Sequence, residues 1–305
     1  MFIVRYARAD APAAVGVVPG ELPGPVHPLA EVGSLSELLT LPLDRVRELT
    51  TEASTRPAES GEVTLLPPVD GRTEVWASGV TYLRSRDARV EESSQKDVYQ
   101  KVYEAQRPEL FFKSAAWRVL CDGEPIGIRS DSELNVPEPE LAVVANAAGE
   151  IVGYLVCNDV SSRTIEGENP LYLPQAKVYA GACSVSAGIR VAWDVEHAHE
   201  LGITLTIERD GKTVFSGETS TDQMQRGYDD LVSWLYRGDH YPHGVVLSTG
   251  TGIIPGMEFR LQGGDDVRIT IDQVGSLTNR VVVGTEPFAR LGHDDAATSR
   301  RGMHV

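Results

Sequence analysis

The sequence predicts a mixed, β-rich fold, with a strand-dominated main body preceded by a small α+β segment. Three observations carry this. From Glu74 onward short apolar runs alternate with turn residues. Two apolar runs, 141–145 and 151–156, flank Asn146-Ala147-Ala148-Gly149 and read as a β-hairpin. A second pair, 203–208 and 213–215, flanks Arg209-Asp210-Gly211-Lys212, and Asp-Gly favours the type I′ turn of a two-residue hairpin.

Taken in order, Met1-Phe2-Ile3-Val4-Arg5-Tyr6 reads as a strand, and proline-rich turns follow over 19–28. Residues 35–51 carry helical periodicity, which Pro42 interrupts because its ring cannot continue a helix. Pro67-Pro68-Val69-Asp70 reads as a linker, so residues 1–70 form a small accessory domain with no catalytic residue of its own. The main domain spans 71–290. In it, a charged loop over 84–96 precedes a short helix near Val98, Val102 and Tyr103. Met224, Tyr228, Leu231, Val232 and Leu235 recur at helical spacing behind Thr221-Asp222, which reads as a cap. Residues 291–305 are polar and aperiodic, a flexible tail.

A chain of 305 residues can bury a sizeable core, and 41% hydrophobic with 24% charged residues is the balance of a globular protein. A net charge of −16 argues against nucleic-acid and anionic-membrane partners, both of which want basic clusters. It also gives an anionic substrate no help from the global field, so the pocket must supply its own cation. Three cysteines, Cys121, Cys157 and Cys183, cannot all pair, and no apolar run approaches 18 residues. Both features point to a reduced cytoplasm. Cys157 and Cys183 sit in apolar strand contexts and read as inert core residues.

Three carboxylates say most about function. Glu138 and Glu140 are two apart in an extended segment, so a strand points both to one face. Folding the hairpin about its turn brings Asp159 back to the Glu138 end, on the same face for a symmetric register and on the other after a one-residue slip. Three anions forced together repel and lose solvation, and a divalent cation relieves both costs. An all-oxygen set without Cys or His selects a hard ion, Mg2+ or else Mn2+. The plain alternative is a solvated strand face.

The text that follows decides between them. The run 158–184, NDVSSRTIEGENPLYLPQAKVYAGACS, coming after Pro-Glu-Pro-Glu-Leu-Ala-Val-Val, is similar to the core signature of the fumarylacetoacetate hydrolase family. Its segment 166–177, EGENPLYLPQAK, looks like the family's branch of 2-keto-3-deoxy-pentonate dehydratases. Further matches lie at 77–93, at RPELFFK (107–113), at STGTGIIP (248–255) and over 262–281. The resemblance implies a β-roll or sandwich catalytic domain with Glu138, Glu140 and Asp159 on the family's metal positions. It also implies a small-molecule 2-oxo sugar acid as substrate and a homodimer or homotetramer as assembly.

Two departures stand out. C–C bond hydrolases of the family carry Asn-Tyr-x-x-His, whose histidine helps activate water, whereas this chain reads Thr81-Tyr82-Leu83-Arg84-Ser85. Losing such a base forfeits about 10²–10⁴-fold in rate, which weakens a hydrolase reading. The Asp that often follows Ser-Arg is here Thr164.

Lys177 stands in the signature where a metal site needs a base, and a like charge beside it disfavours its ammonium form. It is the expected base for C3 of a 2-oxo acid. Glu109, followed by Leu110, Phe111 and Phe112, is the expected acid for expelling the C4 hydroxyl, provided burial raises its pKa. Arg163, Thr251 and Tyr82 are expected to contact substrate, with Thr249-Gly250-Thr251 forming a turn that offers donors to a carboxylate. The expected reaction is dehydration of 2-dehydro-3-deoxy-D-pentonate to 2,5-dioxopentanoate. The alternatives are a C–C hydrolase or decarboxylase acting on an acylpyruvate or oxaloacetate, and a non-catalytic binding protein that keeps the metal as a staple. Other constellations are set aside. Pro255 breaks the helix that a dinucleotide loop at 250–256 would need, the pairs His197/His199 and His240/His243 lack a third zinc ligand, and Ser161-Ser162 lacks a nucleophile-elbow setting.

Overall fold

The strands Pro139–Ala145 and Ile151–Asp159 are buried at nearly every position, which requires cover on both faces. They occupy the middle of an eleven-stranded sheet in the computed structural model, which describes residues 1–9, 11–86, 101–289 and 291. The sheet runs from His27–Pro28 through Ala11–Val18, Phe2–Arg8, Gly188–Val191, Ile151–Asp159, Pro139–Ala145, Val245–Ser248 and Glu74–Gly79 to Glu109–Ala115. Thr64–Leu66 and Cys183–Val185 pair off this path, with Phe2–Arg8 and Ile151–Asp159 respectively.

Alternation along the central strands sends side chains to two separate cores. Leu141, Val143 and Ala145 pack with Ile203, Leu205, Ile207, Val267 and Ile269 of a second, five-stranded sheet and with the helix Tyr228–Tyr236. Ala142, Val144, Leu155 and Cys157 face the opposite way, onto the helices Leu35–Leu38 and Leu43–Ser54. Glu138, Glu140 and Asp159 share the parity of this second set.

The register that aligns them is irregular. A five-residue turn, rather than four, puts Ile151 opposite Ala145, and the ladder then slips by one more residue at Val152. Each offset alone would rotate the second strand onto the wrong face, and together they cancel. The result pairs Cys157 with Glu140, and the Asp159 N–H donates to the Glu138 carbonyl at 3.0 Å. Asp159 thus lands directly across from Glu138.

The expected Asp-Gly hairpin forms with Arg209 opposite Lys212, and positive φ at Asp210 (50°) and Gly211 (71°) is the type I′ signature. Pro42 ends one helical element and caps the next, as its chemistry requires. The helix behind Thr221-Asp222 begins later than expected. Those residues form the 3-10 turn Thr221–Gln223, capped by Ser220, and the α-helix starts at Tyr228 after Gly227. Residues 1–70 do not stand apart. Phe2 pairs with Arg190, which makes the N-terminal strands a continuation of the main sheet, and the Asp70 carboxylate accepts from the N–H groups of Leu35 and Ser36. The short helix expected near 98–103 and the tail expected over 291–305 fall largely outside the described residues.

Gly153, next to the slip, marks the closest approach of Ile151–Asp159 to Gly188–Val191. A Cβ there would lie 2.6 Å from Ile189 Cγ2 and closer still to the Arg190 carbonyl oxygen. Gly153→Ala is therefore expected to cost about 1–3 kcal/mol, lowering Tm by several degrees in thermal unfolding followed by circular dichroism. An unchanged Tm would show that the two strands have room to separate.

Candidate active site

The ladder places three ligand oxygens, one each from Glu138, Glu140 and Asp159, within 4.8 Å of one another. Their residues are 5%, 2% and 1% exposed, so this is no solvated strand face. The neighbouring strand Val245–Ser248 anchors Glu140, whose Oε2 accepts from Ser248 Oγ at 2.6 Å and from the Gly250 N–H at 2.8 Å. Gly250 has φ +93°, and a Cβ there would collide with Thr81 Oγ1, so only glycine brings this turn against residues 78–81.

Two lysines enter the cluster. Lys177, at the end of the helix Leu173–Lys177, places Nζ 2.6 Å from Glu138 Oε2, 3.1 Å from Asp159 Oδ2 and 2.6 Å from Ser161 Oγ. Lys113 forms an ion pair with Asp159 Oδ1. Glu166 lies a further 4.0 Å from the Lys177 ammonium. Three ligand carboxylates thus face two ammonium groups, and Glu166 adds to the negative side. Burial, then the charges of Asp159 and Glu138, push the Glu140 carboxyl well above the usual carboxylate range. A cluster whose carboxylates disfavour one another's ionisation this strongly, built entirely from oxygen ligands, fits a hard divalent cation that would relieve the repulsion.

A small cavity opens on the cluster, walled by Gly79, Val80, Ser85, Phe111, Thr251 and Ile254. The Phe111 ring lies 5.8 Å from Lys177 Nζ. Glu109 shares a strand face with Phe111 by parity and pairs with Gly79. Its half-buried carboxylate lies directly over that glycine, at the cavity's edge. Thr251 is in the wall, its hydroxyl engaged with Ile253 at 3.1–3.2 Å.

The other expected substrate contacts are placed differently. Gly250 spends its N–H on Glu140, and the Thr249 hydroxyl donates to the Leu141 carbonyl at 2.7 Å, so the turn braces a ligand instead of presenting all its donors to the cavity. Arg163 is 3% exposed and donates from Nη1 to the Pro255 carbonyl at 3.0 Å, which ties the helix Arg163–Glu168 to the loop beyond Thr251. Tyr82 lies behind the wall, 1% exposed and packed beneath Gly252. Burial raises the Tyr82 phenol, whose Oη has no hydrogen-bond partner among the described residues. The substitution Thr164 also has a physical account: its Oγ1 accepts from the Leu134 N–H at 3.0 Å, a local brace that needs no charge. The Cys157 thiol is pushed up by its hydrogen bond with Cys183 and by burial, in keeping with inert core cysteines.

Sequence reasoning missed Lys113, Ser161 and Glu166. Ser161 and Glu166 lay inside the quoted signature and Lys113 at the end of RPELFFK, but nothing in residue type or spacing separates them from ordinary surface groups.

A family profile described as "Fumarylacetoacetate (FAA) hydrolase C-terminal" matches residues 74–282. Among named proteins, the chain is 53% identical over 214 residues to a "Probable 2-keto-3-deoxyxylonate dehydratase" of Haloferax volcanii, covering 70% of this chain and 73% of that protein. It is 40% identical over 242 residues to a "2-dehydro-3-deoxy-D-arabinonate dehydratase" of Saccharolobus solfataricus, covering 78% and 81%. Among solved structures, "2-keto-3-deoxy-D-arabinonate dehydratase complexed with magnesium and 2,5-dioxopentanoate" superposes with a TM-score of 0.79 at 34% identity, covering 93% of this chain and 99% of that one.

The crowded carboxylates lead to a substrate-free expectation. The protein binds a divalent cation, and Glu138→Gln, Glu140→Gln and Asp159→Asn each weaken Mn2+ binding in calorimetry by about tenfold or more while the fold persists. Wild-type affinity in all three variants would place the cation elsewhere.

Proposed function

The chain belongs to the fumarylacetoacetate hydrolase family, and we propose that within it the protein is a Mg2+-dependent hydro-lyase acting on 2-dehydro-3-deoxy-D-pentonate. The products are 2,5-dioxopentanoate and water. The observation that carries this reading is a buried lysine beside three clustered carboxylates, in a cavity whose described wall holds no histidine. Such a site suits removal of a proton next to a 2-oxo group and is poorly equipped to activate water for C–C cleavage. Ser85, at the position of the hydrolases' histidine, hydrogen-bonds the Tyr82 carbonyl at 2.7 Å and offers no base.

Glu138, Glu140 and Asp159 would hold Mg2+, which would supply Lewis acidity that makes the C3–H next to the 2-oxo group more acidic. Lys177 takes the C3 proton. Glu109 delivers a proton to the departing C4 hydroxyl, which leaves as water and creates the C3–C4 double bond. Tautomerisation then converts the C5 carbinol to the aldehyde. Phe111 keeps water from the lysine, and Thr251 holds the substrate from the opposite wall. Arg163 and Tyr82 act on substrate at one remove, by fixing the Thr251–Pro255 loop and the floor beneath Gly252.

We further place the protein in the cytoplasm as a homodimer or homotetramer. The buried thiols of Cys157 and Cys183 support a reducing compartment, and among the described residues no helix is long and apolar enough to cross a membrane.

Incubation with a panel of 2-keto-3-deoxy acids and Mg2+ tests the reaction, with 2,5-dioxopentanoate expected from the pentonate and negligible cleavage of acylpyruvates. Efficient acylpyruvate cleavage without dehydration would overturn it in favour of the hydrolase reading. Lys177→Met should abolish exchange of C3 hydrogens with deuterated water. Glu109→Gln should slow dehydration by about 10²-fold or more yet leave C3 exchange nearly intact, since the acid is needed only at departure of the hydroxyl.

A further inference from the structure

Lys113 is 1% exposed and has no part in the chemistry above. It stands on the strand Glu109–Ala115 at an irregularity, since Val75 pairs with Ser114 and Trp76 with Phe112, leaving Lys113 unopposed. Bulges of this kind recur beside active sites. Lys113 keeps the strand parity of Glu109 and Phe111, so it points to the cavity side and into the protein, where a side chain of this type is almost never buried unless paired.

An ammonium has three N–H donors. Lys113 meets three oxygens: the Lys177 carbonyl at 2.5 Å, the Val160 carbonyl at 3.2 Å and Asp159 Oδ1 through the ion pair. Two of its donors are committed to backbone carbonyls and its charge is spent on Asp159, which holds the ammonium away from a substrate role. What it holds is specific. The Asp159 carboxylate is divided, Oδ1 to Lys113 and Oδ2 to Lys177. The carbonyl it grips belongs to Lys177 itself, at the end of a five-residue helix with little rigidity of its own.

We propose that Lys113 is a positioning residue that sets two functional groups at once. Through Oδ1 it limits Asp159 to a single oxygen for the cation, and through the carbonyl it fixes the point from which the Lys177 side chain reaches C3. This rests on the reading of Lys177 and Asp159 given above, although half of its test requires no substrate.

The test compares Lys113→Met and Lys113→Gln with wild type. Gln retains N–H donors without the charge, which keeps a second variant available should the Met variant fold poorly. Folding is checked by circular dichroism, Mn2+ affinity by calorimetry, the Mn2+ coordination environment by electron paramagnetic resonance, and kcat and KM are measured separately. The expected result is a folded protein with Mn2+ affinity reduced about tenfold or more, an altered Mn2+ spectrum, and kcat falling far more than KM. Mn2+ affinity and spectrum matching wild type in a folded variant, whatever its Tm, would reduce Lys113 to a packing role and overturn the proposal. Because the metal measurements do not involve the sugar acid, they stand even if the enzyme dehydrates a different substrate or none.

Discussion

Everything at this site follows from the cost of burying negative charge. Removing a carboxylate from water costs several kcal/mol even after the surroundings relax. Glu138, Glu140 and Asp159 are all at least 95% buried, side by side. Each neighbouring feature offsets part of that cost. Ser248 and the Gly250 N–H serve Glu140, Lys177 serves Glu138 and Asp159, and Lys113 serves the far oxygen of Asp159. Even so the Glu140 carboxyl is held well above its usual range, and a divalent cation at this cluster would relieve the repulsion that remains. A protein selected for stability alone would fill this volume with apolar side chains.

How much of this could be read from the chain depends on the range of the interaction. Side-chain period two is local, so Glu138 and Glu140 could be assigned to one face directly, and the return of Asp159 needed only the hairpin. The two one-residue offsets at the turn and at Val152 carry no signal in residue type, since Val152 resembles any other strand valine. Lys113 was invisible for a related reason. A lysine after Phe-Phe at a strand end reads as a solvent-facing head on an apolar stem, and only the distant segments at Val160 and Lys177, packed over this strand face, enclose it. Arg163 and Tyr82 are expected from the sequence to contact substrate, and the structure turns both to other partners. Their partners, Pro255 and Gly252, lie about ninety and one hundred seventy positions away, and which side of a wall a side chain takes is decided by such distant packing.

The same scaffold can serve hydrolysis or dehydration because the enolising half of the chemistry is common to both. On the reaction proposed above, the difference would reside at the cavity rim. Ser85 is turned back onto its own helix turn, while Glu109 leans over Gly79, which can be no other residue without displacing the carboxylate. Changing the reaction type would then require no change in the ligand cluster, only in which rim group can give or take a proton.

The hairpin also limits how this gene can vary in length. A single codon gained or lost between Gly153 and Asp159, where neighbouring strands hold the ladder on both sides, reverses the face of every residue from there to the strand's end and carries the aspartate toward the other core. One gained in the turn is absorbed as a longer loop and leaves the aspartate in place. Tolerance to insertion thus changes abruptly along this connection, a constraint that acts at a distance from the ligands and that substitution tolerance alone would never show.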